Sequence, residues 1–204
     1  YSLRKVYRID FKRLVMKKLI AGAVVAGALM SVYGCQSTAT KEEAVKPVAE
    51  APKLNNDDLY EVAHEGRYYV FDDFKTYQSF LQVGETSYRK VFIGGGPHGE
   101  TLVHGLRGKD KKKLSGIAGV EMFAGKMEPA EDFYGEMRGE DGRLYVFNSL
   151  KDMEDLRVVG EAPYRFTQIG AGPQGQTVVF VLNKSNKKKE PVALVKRFKA
   201  MNNL

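Results

Sequence analysis

The feature that most constrains this chain is that it repeats itself. Displaced by 76 residues, Gly66-Arg67 falls on Gly142-Arg143, Tyr69-Val70-Phe71 on Tyr145-Val146-Phe147, and Val83-Gly84-Glu85 on Val159-Gly160-Glu161. Tyr88-Arg89 falls on Tyr164-Arg165, Gly96-Pro97 and Gly99 on Gly172-Pro173 and Gly175, and Lys111-Lys112-Lys113 on Lys187-Lys188-Lys189. Asp58, Leu59 and Tyr60 match Asp132, Phe133 and Tyr134 after a small insertion. Two copies, 57–130 and 131–204, fill the body, so its fold must be one that a short unit can adopt twice. A unit of about 74 residues makes a marginal core alone, and the two are expected to pack as a pseudo-symmetric pair.

Each copy reads as strands around a helix. Residues 68–72 and 144–148 are aromatic and β-branched and follow turns ending Glu65-Gly66 and Asp141-Gly142, the second a strong hairpin signal. Asp73 and Ser149 occupy N-cap positions. Phe74, Tyr77, Phe80 and Leu81, and likewise Leu150, Met153 and Leu156, have helical spacing. Gly84 and Gly160 supply left-handed caps. Three strands are predicted to follow: 88–93, 101–106 and 117–123, with counterparts 164–169, 177–182 and 192–198. The expected class is α+β, two tandem ββαβββ units. G-R-x-Y-V-F at Gly66–Phe71 and Gly142–Phe147, followed by a capped helix, resembles the strand–helix unit of YHS-type domains. It is also similar to copper-handling accessory lipoproteins of nitrous oxide reductase. The resemblance covers about twenty residues per copy and lacks the Tyr-His-Ser signature, so it does not carry metal handling with it.

The 204 residues ahead of and within this body are unevenly charged. The formal charge is +7, but residues 1–34 hold seven bases and one acid, so the chain from Cys35 onward carries only +1. A near-neutral body gives no broad attraction to phosphate backbones, and no nucleic-acid partner is expected. Residues 16–34 open with Met16-Lys17-Lys18 and continue through sixteen uncharged residues, about 24 Å as a helix, short of a bilayer's hydrocarbon core. A basic start and a short apolar centre describe a secretory signal. Val32-Tyr33-Gly34-Cys35 at its end resembles the lipobox of bacterial lipoproteins, with Tyr33 bulkier than usual. The resemblance implies cleavage before Cys35, acylation of that cysteine and, with Gln36 rather than aspartate next, the outer membrane of a Gram-negative cell. Acyl chains on Cys35 would anchor stably, at about 0.8 kcal/mol per buried CH₂. Residues 1–15 read as an upstream or non-native extension, or as a long n-region. Residues 35–56, rich in Ala, Lys, Glu and Pro, read as a flexible linker too polar to bury a core.

Several motifs look like chemistry. Gly94, Gly96 and Gly99, and Gly170, Gly172 and Gly175, fit G-x-G-x-x-G, but strand sequence follows each. The helix that would receive a pyrophosphate is absent, and both read as Gly-Pro hairpin loops. The alternative is a small-ligand or anion site, with His98, in a cleft that both loops share. His64, His98 and His104 all lie in the first copy and match no zinc spacing. Met122, Met127 and Met137 could offer thioethers to copper, although methionine is more often core filler. Lys111, Lys112, Lys113 and Lys187, Lys188, Lys189 read as solvated turns or as contacts to anionic headgroups. Adjacent carboxylates at 72–73 and 131–132 form no acid–base pair, and neither G-x-S-x-G nor H-E-x-x-H occurs. The expectation is a non-catalytic lipid-anchored envelope protein without cofactor, binding an envelope protein or glycan. A periplasmic metal or small-ligand binder using the Gly-Pro loops is the second reading, and an enzyme of unidentified class the third.

Overall fold

The computed structural model describes residues 54–204; the stretch read as a signal, Cys35, and residues 36–53 of the stretch read as a linker lie outside the described residues. Twelve elements follow one another: β1 (Asp58–His64), β2 (Arg67–Phe71), α1 (Phe74–Val83), β3 (Arg89–Phe92), β4 (Thr101–Gly105), α2 (Ala118–Phe123), β5 (Tyr134–Arg138), β6 (Leu144–Phe147), α3 (Leu150–Val159), β7 (Tyr164–Gln168), β8 (Val178–Leu182) and α4 (Val192–Asn202). The eight strands form one mixed sheet in the order β3-β4-β2-β1-β5-β6-β8-β7. Hairpins β1–β2 and β5–β6 are antiparallel, β2–β4 and β6–β8 are parallel, and β1 joins β5 in parallel at the middle.

The predicted caps form. Asp73 accepts from the Thr76 amide at 2.9 Å, and Ser149 accepts from the Asp152 amide. Gly84 and Gly160 end their helices in the left-handed region, at φ 78° and 79°. Helices cover both faces of the sheet. Against α2 and α3 lies one core that includes Leu59, Val70, Met122, Phe147, Met153 and Leu156. Against α1 and α4 lies the other, with Tyr60, Phe71, Tyr77, Phe80, Val146, Phe180 and Phe198. Matching residues therefore fall on opposite faces, Phe71 on one and Phe147 on the other. Among the described residues, every strand pairing and both cores are supplied by residues 54–204 themselves, the condition for a domain to fold by itself.

Three expectations need correction. Residues 117–123 and 192–198 are not strands but lead into or lie in α2 and α4, so the order within each half is ββαββα. In α4 the buried residues Leu194, Val195 and Phe198 recur with helical spacing while Val192 is exposed. Pro191, lacking an N–H, suits a helix start. Helix α2 has no cap of its own. The buried carboxylate of Asp72, at the end of β2, accepts from the Gly119 amide at 3.0 Å, a helix start satisfied from 47 residues away. A Cβ at Gly119 would meet Asp72 at 3.0 Å, so the close approach is built in. Third, the match of Asp58-Leu59-Tyr60 to Asp132-Phe133-Tyr134 is out of register. Glu61 pairs with Val70, and Glu136 with Val146. Because Val70 and Val146 correspond, Glu61 corresponds to Glu136.

Candidate functional site

The sheet has two unlike ends. Residue 54 leads into the start of β1, and β5 starts beside it, with Asp58 opposite Tyr134. At the other end lie the β1–β2 turn, the β5–β6 turn and both Gly-Pro loops, since β4 begins opposite Arg67 and β8 opposite Leu144. A cavity of about 570 Å³ opens at this hairpin end. Its walls come from the first hairpin (Arg67, Tyr68), the second (Met137, Glu140, Asp141, Tyr145), the end of α3 (Leu156, Arg157) and the first Gly-Pro loop (His98, Glu100).

Behind Tyr68 and Arg157 lies Glu61, which is fully buried. Arg157 donates Nε to one Glu61 oxygen at 3.0 Å and Nη2 to the other, and the Tyr68 hydroxyl also donates to Glu61. The guanidinium rests 4.2 Å from the centroid of Phe123. Burial pushes the Tyr68 hydroxyl well above its ordinary range, with the Glu61 charge adding to it, so Tyr68 remains a donor. Burial alone would lower Arg157, but the Glu61 carboxylate outweighs it and holds the arginine charged. A wall of donors (Arg67, Arg157, His98) and acceptors (Glu100, Glu140, Asp141), in which Arg157 is fixed by its ion pair with Glu61, can orient a polar ligand. A second cavity, about 730 Å³, lies between α3 and β7–β8 and is lined mainly by apolar groups such as Val159, Ala162, Pro163 and Val181. It is larger, but no buried polar group is among the residues lining it, so the hairpin-end cavity is the better candidate.

Of the sequence-derived candidates, His98 and Met137 line the hairpin-end cavity. The two glycine loops share an end of the sheet but not a cleft. Strands β2, β1, β5 and β6 stand between β4 and β8, about 24 Å at the usual strand spacing. The loop amides are turned inward. Gly96 donates to the Glu100 carbonyl, Gly99 to the Gly96 carbonyl, and His98 to the Glu100 carboxylate. Gly172, Gly175 and Gln174 repeat the pattern with Gln176 in place of Glu100. Gly94 and Gly170 take positive φ at the loop starts. Amides that would cradle an anion are thus spent on closing the hairpins. Among the described residues no cluster of three or more His, Cys, Asp or Glu side chains is arranged to hold a metal. Met122 and Met137 are buried core residues, and Met127 packs against the same core. Sequence reading missed Glu61 and Glu136. The available signal was a charged residue inside otherwise apolar strands, DLYEVAH and YGEMR.

His104 is not at the cavity. It is buried in β4, edge-on to Phe92 and Phe123 at 5.7 and 5.6 Å, and its Nδ1 has no hydrogen-bond partner. Phe180 stands at the matching place, edge-on to Phe198. Burial, with the nearby charges of Lys90 and Arg157, pulls His104 down to about 4. The unfolded chain therefore takes up the proton first, and the stability held above pH 6.5 is lost as pH falls towards 4. His104→Phe is expected to raise stability by about 1 kcal/mol at pH 7, rising by a further 1–2 kcal/mol or so at pH 5. Urea unfolding at the two pH values measures both.

Among the described residues no helix is long and apolar enough to cross a membrane. No protein-family model, curated protein or solved structure matches this chain.

Proposed function

We propose that this chain is a lipid-anchored, periplasm-facing module of a Gram-negative envelope that binds a polar ligand, a glycan or a partner protein, without catalysing a reaction on it. The anchor is Cys35, on the strength of the Val32-Tyr33-Gly34-Cys35 sequence. The observation that carries the binding role is the cavity at the hairpin end. It lies at the opposite end of β1 from residue 54, and two of its lining residues, Arg157 and Tyr68, are held by the buried Glu61 carboxylate. The body is read as two copies of one ββαββα unit related by a twofold axis along the strands between β1 and β5. Support comes from the recurring element order and from matching residues that exchange faces.

Intact-mass measurement of the protein from cells is expected to find a diacylglyceryl, acylated Cys35 as the first residue. A photo-reactive side chain at Glu140, an exposed residue of the cavity wall, is expected to capture an envelope component. The same probe at Lys199, on α4, is expected to capture none. An unmodified cysteine removes the anchor, and equal capture at both positions removes the cavity.

A further inference from the structure

The topology brings both lysine runs to the same end of the sheet. Strand β4 runs parallel to β2 and ends with Gly105 opposite Phe71, which itself lies opposite Tyr60 near the start of β1. Strand β8 runs parallel to β6, whose last residue, Phe147, lies opposite Gly135 near the start of β5. The loops that follow, 106–117 and 183–191, therefore emerge where residue 54 enters the body, one towards each edge. In the first, five bases meet one acid; in the second, four bases meet one. The two loops carry a net +7 in a chain that, from Cys35 onward, totals +1, so all the rest is net −6.

The arrangement is the same in both halves. Lys111 lies 4.9 Å over the Tyr88 ring, and Lys187 lies 4.2 Å over Tyr164. Their neighbours Lys112, Lys113, Lys188 and Lys189 are exposed. The acid in the first loop is already matched: Asp110 is buried and paired with Arg107 and Lys113, each at 2.7 Å. Between the loops, at the starts of β1 and β5, lie Asp57, Glu131 and Asp132. An anionic surface would therefore be touched by the two lysine edges and not by the middle.

We infer that the two lysine loops are a docking surface for an anionic lipid bilayer, and that they set the body down on the membrane with its hairpin-end cavity facing outward. The inference rests on the lipid-anchor reading for its biological setting. The lipid chain alone would hold the body near the membrane without orienting it; two charged patches about 24 Å apart add a preferred face.

The test uses residues 36–204, which contain the self-sufficient body and no Cys35, so the outcome does not depend on acylation. Sedimentation with vesicles is measured for phosphatidylcholine alone and for phosphatidylcholine with 30% phosphatidylglycerol. Binding is expected only to the anionic vesicles, and it should weaken as salt is raised from 0.05 to 0.5 M. Replacing Lys111, Lys112 and Lys113 with glutamine is expected to weaken it about tenfold or more, and replacing Lys187, Lys188 and Lys189 likewise. All six together should weaken it about a hundredfold or more. Circular dichroism melts should show each variant folded. Equal binding to both vesicles, no binding at all, or binding untouched by the six replacements would overturn the proposal. So would displacement by millimolar inorganic phosphate without any vesicle preference. If cellular Cys35 proves unmodified while the vesicle result stands, the anchor fails and the lysine surface does not.

Discussion

Replacing Glu61 with alanine is expected to destabilise the protein by about 3–5 kcal/mol, measured by urea unfolding. The carboxylate is wholly buried and receives three donors, two from Arg157 and one from Tyr68. Its removal leaves a guanidinium with 9% side-chain exposure without its counter-charge and a buried hydroxyl without an acceptor. Arg157→Met is expected to act nearly as strongly, because it strands the carboxylate instead. The double variant Glu61→Met/Arg157→Leu should recover most of the loss, since a buried ion pair compares poorly with apolar side chains of similar volume. Recovery of stability without recovery of capture at the hairpin-end cavity would separate the two roles of this pair. A single variant costing under about 1 kcal/mol would show that the pair is hydrated and not buried.

What the sequence disclosed follows the range over which each signal acts. The turns before β2 and β6, the N-caps at Asp73 and Ser149 and the glycine caps at Gly84 and Gly160 are settled within a few residues, and each forms as read. Helices α2 and α4 were misread because their deciding contacts are distant. The amide of Gly119 is capped by Asp72, and the apolar run of α4 takes its helical form by laying Leu194, Val195 and Phe198 on the sheet. Short apolar segments carry no local distinction between strand and helix. The parallel joins β1–β5, β2–β4 and β6–β8 have no turn to announce them, so neither the single sheet nor the common end of the lysine loops was visible. The candidate site suffered most. Glu61 and Arg157 are 96 residues apart, and nothing in their neighbours pairs them. The glycine loops, by contrast, were conspicuous in sequence, yet they sit at separate edges with their amides already used.

The counterpart of Glu61 should be equally sensitive for a different reason. Glu136 is fully buried on the other face, and its donors are neutral: the Tyr134 hydroxyl at 2.6 Å, the Tyr77 hydroxyl at 3.2 Å and Asn202 Nδ2 at 2.8 Å. Arginine reaches it only indirectly, as Arg138 donates to the Tyr77 hydroxyl at 2.8 Å and Arg197 lies over the Tyr134 ring. Burial raises both tyrosines far above their ordinary range, with the Glu136 charge reinforcing it, so both remain donors. Glu136→Ala removes the one acceptor that two buried tyrosine hydroxyls and the half-buried Asn202 amide share, and a loss of about 3–5 kcal/mol is expected. Glu136→Gln keeps an acceptor oxygen but adds donors where donors already converge, and about 1–2 kcal/mol is expected. Because Tyr77 belongs to α1 and Asn202 to α4, Glu136 ties both helices of that face to the central strand β5. Hydrogen exchange in Glu136→Ala should therefore quicken first at the end of α4, whose buried Phe198 lies one turn from Asn202. Uniform acceleration across the sheet, or an unchanged unfolding midpoint, would mean that apolar packing alone holds these helices and that Glu136 is no tie between them.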